Sequence, residues 1–295
     1  MLESYNSHKL IAVSYAIKEA VDVLKMHSIA SPFLDARILL SYVSNYNKNE
    51  ILLKDNELLL TENQYEIFKK LILERAIEKK PIAKLINHKE FFGLDFYVDD
   101  NVLDPRPDSE IIVEMILSDY KNIENLNLLE IGTGSSCLIV ALVKALSNAR
   151  ATAIDISTKA LQIADKNISQ HQLSTKIKLL QSDLFDNLAT NNKFNIILSN
   201  PPYIPSNEIE LLDKEVQNYD PISALDGGND GLDFYRSISK NARNYLHKNG
   251  SLYLEIGINQ FTAIKVIFEN EGWHFEKYQK DLAGIIRALK FKINI

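Results

Sequence analysis

Leu128-Leu129-Glu130-Ile131-Gly132-Thr133-Gly134-Ser135-Ser136-Cys137-Leu138-Ile139-Val140-Ala141-Leu142-Val143 is the stretch on which the fold turns. Its first four residues, apolar but for Glu130, are of strand length. Its last seven begin a helix that the pattern carries to residue 146, and the two glycines between them permit a tight turn. A buried strand that passes through a glycine turn into a helix is the repeating unit of a parallel α/β sheet. The alternation continues outward. Strands are predicted at 151–155, 177–181, 194–199 and 251–256, helices at 158–168, 232–246 and 260–269, and two more strands between 273 and 291. The fold class is therefore α/β, with a seven-stranded, mostly parallel sheet covered on both faces. In such folds ligands bind beyond the carboxyl ends of the strands.

The first 80 residues have a different period. Leu10, Val13, Ile17, Val21 and Leu24 share one helical face. Ser31-Pro32 reads as an N-cap and first-turn proline. Thr61 and Gln64 make a capping-box pattern ahead of Ile67, Leu71 and Ile72. After Pro81 the pattern becomes extended, with Phe91, Phe92, Phe96, Tyr97 and Val98 around Gly93, as in a hairpin. The expected organisation is a helical domain at 1–81, a β-hairpin linker at 82–103 and the α/β domain at 104–295.

Composition narrows the function classes. Of 295 residues, 46% are hydrophobic and 24% charged, as in an ordinary globular protein, which excludes a disordered tail or a collagen-like chain. The longest apolar run, 137–143, falls far short of the roughly 20 residues of a membrane span, and residues 1–30 lack the pattern of a secretory signal. The single cysteine rules out a disulfide framework or a Cys-built zinc cage and suits a reducing cytosol. Six histidines are scattered without an i, i+4 pair, so no metal is expected. The net charge of −6 argues against broad electrostatic capture of nucleic acid. Five of the eight prolines fall in two segments, Pro105 with Pro107, and Pro201, Pro202 and Pro205.

The strand ends carry the chemistry. Gly132 and Gly134 allow a ligand close to the backbone, and about 20 residues on, Asp155 ends the second strand where a carboxylate can accept both ribose hydroxyl protons. This points to a nucleoside-containing cofactor, with an ordinary structural turn as the alternative. A dinucleotide calls for the G-x-G-x-x-G fingerprint, which fails here because Cys137 stands at the third glycine position. S-adenosylmethionine has no phosphate, and its site asks less of the loop. After the third strand, Asp183 is placed to accept from an adenine amino group with Leu184 or Phe185 over the ring; a capping Asp accounts for the segment equally well. The fourth strand leads into Asn200-Pro201-Pro202-Tyr203, a sequence that this composition yields by accident in roughly one such chain in a thousand. Prolines cannot continue a ladder, which frees the Pro201 carbonyl to accept from a ligand. Asn200 adds an uncharged acceptor and donor, and Tyr203 can supply a flat wall. Two acceptors and a flat wall fit a planar –NH2 group, an amide or an amino-purine.

Gly132-Thr133-Gly134, Asp155 and Asn200-Pro201-Pro202-Tyr203 resemble the class I S-adenosylmethionine-dependent methyltransferases that modify an amide or exocyclic nitrogen. Leu103-Asp104-Pro105-Arg106-Pro107-Asp108-Ser109-Glu110, Glu90-Phe91-Phe92-Gly93-Leu94 and Ala224-Leu225-Asp226-Gly227-Gly228 narrow the resemblance to the HemK family, the peptide chain release factor N5-glutamine methyltransferases. The resemblance implies a Rossmann-like domain that transfers methyl from S-adenosyl-L-methionine, leaving S-adenosyl-L-homocysteine, to the glutamine of a release factor's Gly-Gly-Gln motif. It also implies a cytoplasmic enzyme, here expected to be a monomer without membrane or direct nucleic-acid contact. It places cofactor contacts on Gly132, Thr133, Gly134, Ser135, Ser136, Asp155, Asp183, Leu184 and Asn200, and catalysis and substrate binding on Asn200, Pro201, Pro202 and Tyr203. Glu130, Ser136, Leu184, Asp104 and Ile286 depart from the family's pattern without removing a group the mechanism needs. Pro105–Glu110 lies beside the cofactor by resemblance, or is a rigid lead-in to a helix. Gly227–Gly231 reads as a flexible loop near the substrate channel, or as a plain turn.

Three rivals stand beside this reading. An adenine-N6 DNA methyltransferase would hold the amino group of a flipped base with the same four residues, but it needs a basic face. Residues 1–80 carry eleven Lys and Arg against eleven Asp and Glu. A glutamine methyltransferase acting on a ribosomal protein would share the chemistry. A non-catalytic binding module is disfavoured by the intact Asn200–Tyr203 motif.

Overall fold

The face read from Val13 to Leu24 folds as α1 (Val13–Met26) and buries Val13, Ala16, Ala20, Val21 and Leu24. Leu10 is not part of it. In the computed structural model, which describes residues 10–293, Leu10 lies in β1 (Leu10–Ala12), antiparallel to β2 (Leu59–Thr61), and is exposed. The helix starts at Val13 because its first donors are already claimed: Val13 N–H donates to the Leu58 carbonyl (3.0 Å) and Ser14 N–H to that of Asp55 (3.1 Å). α2 (Pro32–Ser44) starts at its proline as expected, although Ser31 makes no side-chain cap bond. α3 (Lys48–Lys54) opens with an Asn47–Glu50 capping box, and α4 (Glu62–Leu73) with the Thr61–Gln64 box read from the sequence. Residues 82–86, read as the start of an extended stretch, form the short helix α5 (Ile82–Ile86) instead. These elements close around Leu24, Leu39, Leu40, Leu60, Phe68 and Ile72. Buried Arg75 donates from Nε to Asp35 Oδ2 (2.7 Å) beside this core.

The chain divides into two compact units between Asn87 and His88. The second opens with a hairpin, β3 (Lys89–Phe91) and β4 (Leu94–Phe96), turned at Phe92 and Gly93, both with positive φ. The Phe92 N–H is held by Glu110 Oε1 at 2.7 Å. After α6 (Glu110–Tyr120) come β5 (Asn127–Ile131), α7 (Cys137–Ala145), β6 (Arg150–Asp155), α8 (Thr158–Gln170), β7 (Ile177–Gln181) and β8 (Phe194–Ser199). Then follow α9 (Lys214–Tyr219), α10 (Asp233–Asn241), β9 (Leu246–Glu255), α11 (Phe261–Asn270), β10 (Trp273–Lys280) and β11 (Ile286–Ile293). The helix read to 246 therefore ends sooner: a 3-10 turn at Ala242–Tyr245 leads into β9.

The seven strands form one sheet in the order β10-β11-β9-β8-β5-β6-β7. Pairings from β9 through β7 are parallel, and β11 pairs antiparallel with both β9 and β10. Successive residues point to opposite faces, so Leu128, Ile196 and Leu198 pack under α6 and α7, whereas Leu129, Ile131 and Ile197 pack under α10 and α11. Burying each such side chain contributes about 1.5–3 kcal/mol, and together they fix the strand ends rigidly. Among the described residues no helix is long and apolar enough to cross a membrane.

Candidate active site

β6, β5 and β8 end level with one another, Ile131 being paired to Ile154 on one side and to Ser199 on the other. The chain leaves β5 toward β6 and β7 and returns on the opposite side at β8, so the crevice beyond these ends is a topological switch point. A cavity of about 550 Å³ lies there. It is lined by Gly132, Thr133, Gly134, Ser135, Asp155, Asp183, Leu184, Asn200, Pro201 and Pro202, all but two of the residues on which the resemblance places cofactor contacts and catalysis, whereas Phe185, the other candidate for the adenine ring, is buried against Tyr245. Ser136 is wholly buried at φ +65° in the N-cap position of α7, without a side-chain cap bond, and its Oγ lies 3.0 Å from Thr133 Oγ1. Tyr203 packs against the core between the sheet, α10 and α11 and is not in the lining. Burial pushes its phenol up to about 12, so it stays neutral.

Each wall has a local cause. Gly132 takes φ +70° and Gly134 φ +51°, and a Cβ added to either would meet nothing within 4 Å, leaving room for a ligand against bare backbone. Asp155 is fixed from both sides: Oδ2 accepts from Gly134 N–H and Oδ1 from Ser157 N–H, each at 2.9 Å. Each oxygen keeps a lone pair for a ligand hydroxyl. Glu130 lies beneath the turn, takes the Thr133 hydroxyl as donor, and is pushed up to about 8 by burial. Burial likewise pushes the Cys137 thiol up, which keeps it a poor nucleophile. Leu184 carries φ +45°, an unusual value for a branched apolar residue, at the cavity wall.

The Asn200 loop is braced on all sides. Ser199 Oγ donates to the Ile131 carbonyl (2.8 Å) and ties β8 to β5. Asn200 Nδ2 donates one of its two hydrogens to Ser109 Oγ (3.2 Å), which fixes the turn of the amide and leaves Oδ1 as its acceptor. Behind the motif, Ile204 pairs with Asp226, and the Gln260 amide donates to the carbonyls of Tyr203 (2.8 Å) and Gly231 (3.3 Å). The Gly227–Gly231 loop is therefore packed against the motif and is more than a plain turn. A Cβ on Gly227 would stand 2.8 Å from the Pro202 carbonyl and from Tyr203 Cα. The Pro105–Glu110 segment divides between cavity wall and helix lead-in. Pro105 and Arg106 line the cavity, Arg106 Nη2 donating to buried Asp220 Oδ2 at 2.6 Å, while Pro107–Ser109 is a 3-10 turn leading into α6.

Two contributors escaped the sequence reading. Asn167, fully buried in α8, accepts from Tyr97 N–H (2.8 Å) and donates to the carbonyls of Tyr97 (3.0 Å) and Ser135 (2.9 Å), pinning the glycine loop from below. Only a lone polar residue on an otherwise apolar helix face signalled it. Pro221, Ile222, Ser223 and Phe234, from the segment after Tyr203, add to the lining, and no short motif announced them.

Residues 107–215 match the family model described as Methyltransferase small domain, and residues 15–86 that described as PrmC N-terminal domain. The release factor glutamine methyltransferase of Agrobacterium fabrum is 34% identical over 91% of this chain and 93% of its own length. The chain belongs to the release factor glutamine methyltransferase family. Its fold is that of the class I methyltransferases: a solved methyltransferase from Pyrococcus furiosus, 18% identical, superposes with a TM-score of 0.52 over 79% of this chain and 98% of that one. The bifunctional methyltransferase of Rickettsia felis is 36% identical over 95% of this chain, which spans 58% of that relative's length.

This family and fold imply use of S-adenosylmethionine, and the residues present fit it. The cavity has the volume of a site for a ligand of that size, the open space beside Gly132 and Gly134 admits a chain against the backbone, and Asp155 offers two fixed acceptors.

Proposed function

We propose that this chain methylates the side-chain amide nitrogen (N5) of the glutamine in the Gly-Gly-Gln motif of a peptide chain release factor. The observation that carries the reading is the Asn200 amide, turned by Ser109 so that an uncharged acceptor remains beside Pro201 in the same cavity as Asp155 and the glycine turn. Bound S-adenosyl-L-methionine supplies an electrophilic methyl group. Gly132 through Ser135, Asp155, Asp183 and Leu184 would hold it. An amide nitrogen is a weak nucleophile because its lone pair is delocalised into the carbonyl. Asn200 Oδ1 and the Pro201 carbonyl accept its two N–H hydrogens, which orients the nitrogen and raises its electron density. Orientation of this kind supplies roughly 7–11 kcal/mol in favourable cases, and oriented dipoles facing the positive charge that develops on nitrogen add to it. No strong base is needed, since the methylated amide cation is acidic enough to give its proton to water, and among the described residues no histidine lines the cavity.

Under the same reading the enzyme works as a monomer in the cytoplasm, and the helical unit docks the body of the release factor. Mass spectrometry of a release factor incubated with enzyme and cofactor tests the function. One added methyl on the Gly-Gly-Gln glutamine is expected; an unmodified glutamine, or methyl found instead on a ribosomal protein or on DNA adenine, overturns it. Removing residues 1–87 is expected to raise KM for the release factor while cofactor binding survives in calorimetry.

A further inference from the structure

Glu255 ends β9 on the side of Asn200 away from β5. β8 and β9 run parallel with Ser199 paired to Leu254, so Asn200 and Glu255 leave the sheet side by side. Glu255 is 3% exposed, and its Oε2 is buried without a hydrogen-bond partner. A buried carboxylate with an unpaired oxygen costs stability, and an apolar residue at this position would avoid the cost. Beside it stand the Ser109 and Asn200 side chains, whose donor groups pull the carboxyl down against burial. Ser109 Oγ accepts from Asn200 Nδ2 (3.2 Å), so its own single proton is available to turn toward Glu255.

We propose that Glu255 is a positioning residue for methyl transfer: acting through Ser109, it holds the Asn200 amide with Nδ2 turned away from the substrate and makes Oδ1 a stronger acceptor. The inference rests on the glutamine-methylation reading of this site. A charged Glu255 draws the Ser109 hydroxyl proton, which makes Ser109 Oγ a better acceptor from Asn200 Nδ2 and pushes electron density toward Oδ1. Burial lifts the carboxyl to about 7, partly opposed by Arg287 on β11 and reinforced by Asp108 in the turn before α6. Arg287 is itself shared between Asp108 and Asp281, each at 3.1 Å. The other groups facing Glu255 are Tyr203, Tyr235 on α10 and Cys137 on α7; burial raises all three, so they stay neutral while Glu255 titrates. Turnover should therefore fall as pH drops through about 7.

The experiment compares wild type, Glu255→Gln and Ser109→Ala in two readouts. In kinetics on a release factor, Glu255→Gln is expected to lose roughly tenfold in kcat, less than the ~100-fold or more typical of removing a group that touches the reacting atoms. KM should stay within about twofold for both substrates, since only the transition state is affected, and the acid limb of the pH profile should vanish. In nitrogen-15 NMR, without any substrate, the Asn200 side-chain amide should titrate with a midpoint near 7 in wild type and lose that midpoint in both variants. Wild-type turnover with an unchanged pH profile in Glu255→Gln overturns the proposal. So does an Asn200 amide that is silent to pH in wild type, which decides the matter even if a variant fails to fold. If the wild type leaves the release factor unmethylated, the functional reading fails instead, and the amide titration still reports on the coupling.

Discussion

Two loops at the ends of adjacent parallel strands build one cavity by opposite means. The turn after β5 is open: Gly132 and Gly134 adopt left-handed backbone angles, and nothing stands where their side chains would be. The loop after β8 is closed: its prolines fix the chain, and Gly227 presses so near Pro202 and Tyr203 that a single methyl would collide with backbone. Glycine makes room for a ligand in the first loop and lets protein touch protein in the second. The first surface is suited to holding a cofactor and the second to holding a reactive geometry, so damage to each should read out differently.

The sharpest way to break this contrast is Asn200→Ala. It is expected to cut turnover at least ~100-fold, about 3 kcal/mol or more of transition-state stabilisation, while calorimetry shows cofactor affinity little changed. Equal loss of both would mean that the two loops do not divide the work. Next comes Gly227→Ala, whose Cβ meets backbone that cannot yield. A loss of about 1–3 kcal/mol in denaturant unfolding is expected, with turnover reduced beyond any loss of folded protein. Gly132→Ala, strained by about 1–2 kcal/mol yet meeting no neighbour, should weaken cofactor binding and spare the geometry around Asn200.

A fourth test uses pH. Glu130 under the open turn is raised from 4.5 to about 8, so the native state holds its proton more tightly than the unfolded chain does. Its favourable contribution is complete below pH 4.5 and is lost as pH rises through about 8. Thermal melts of wild type and Glu130→Gln should nearly coincide at the acid end of that window and separate by a few degrees in favour of the variant above it. A gap that does not widen with pH would place the carboxylate in a wetter setting than its burial implies. The smallest effect is expected from Leu184→Phe. An aromatic face against the cofactor's ring should add about 0.5–1.5 kcal/mol, a roughly two- to tenfold gain in calorimetric affinity.

Much of this was legible before folding. β7 and β8 fall at the residues read from the sequence, and in β8 the reason is that a strand buried on both faces reads as a near-continuous apolar run. The Asn200 and glycine motifs stood out for the same physical reason that they work, since each concentrates special backbone residues at a strand's carboxyl end. The β1–β2 pair was hidden, since three-residue strands have no period and Leu10 fits the spacing of the helix that follows. Asn167 was hidden because a polar residue within a helix ordinarily faces water. The place of Tyr203 follows from backbone direction after two prolines, which its residue type does not encode. The bracing role of Gly227 depends on two segments some 25 residues apart in sequence lying against each other, a contact that local spacing does not reveal.

Cys137 is the chain's one sulfhydryl, set in the first turn of α7 at the cavity wall and 9% exposed. Packed this way and kept protonated, it is slow to react with alkylating reagents while the wall stays intact. Labelling of the native enzyme then becomes a clock for opening of this wall, needing no engineered probe, and occupancy of the cavity should slow it.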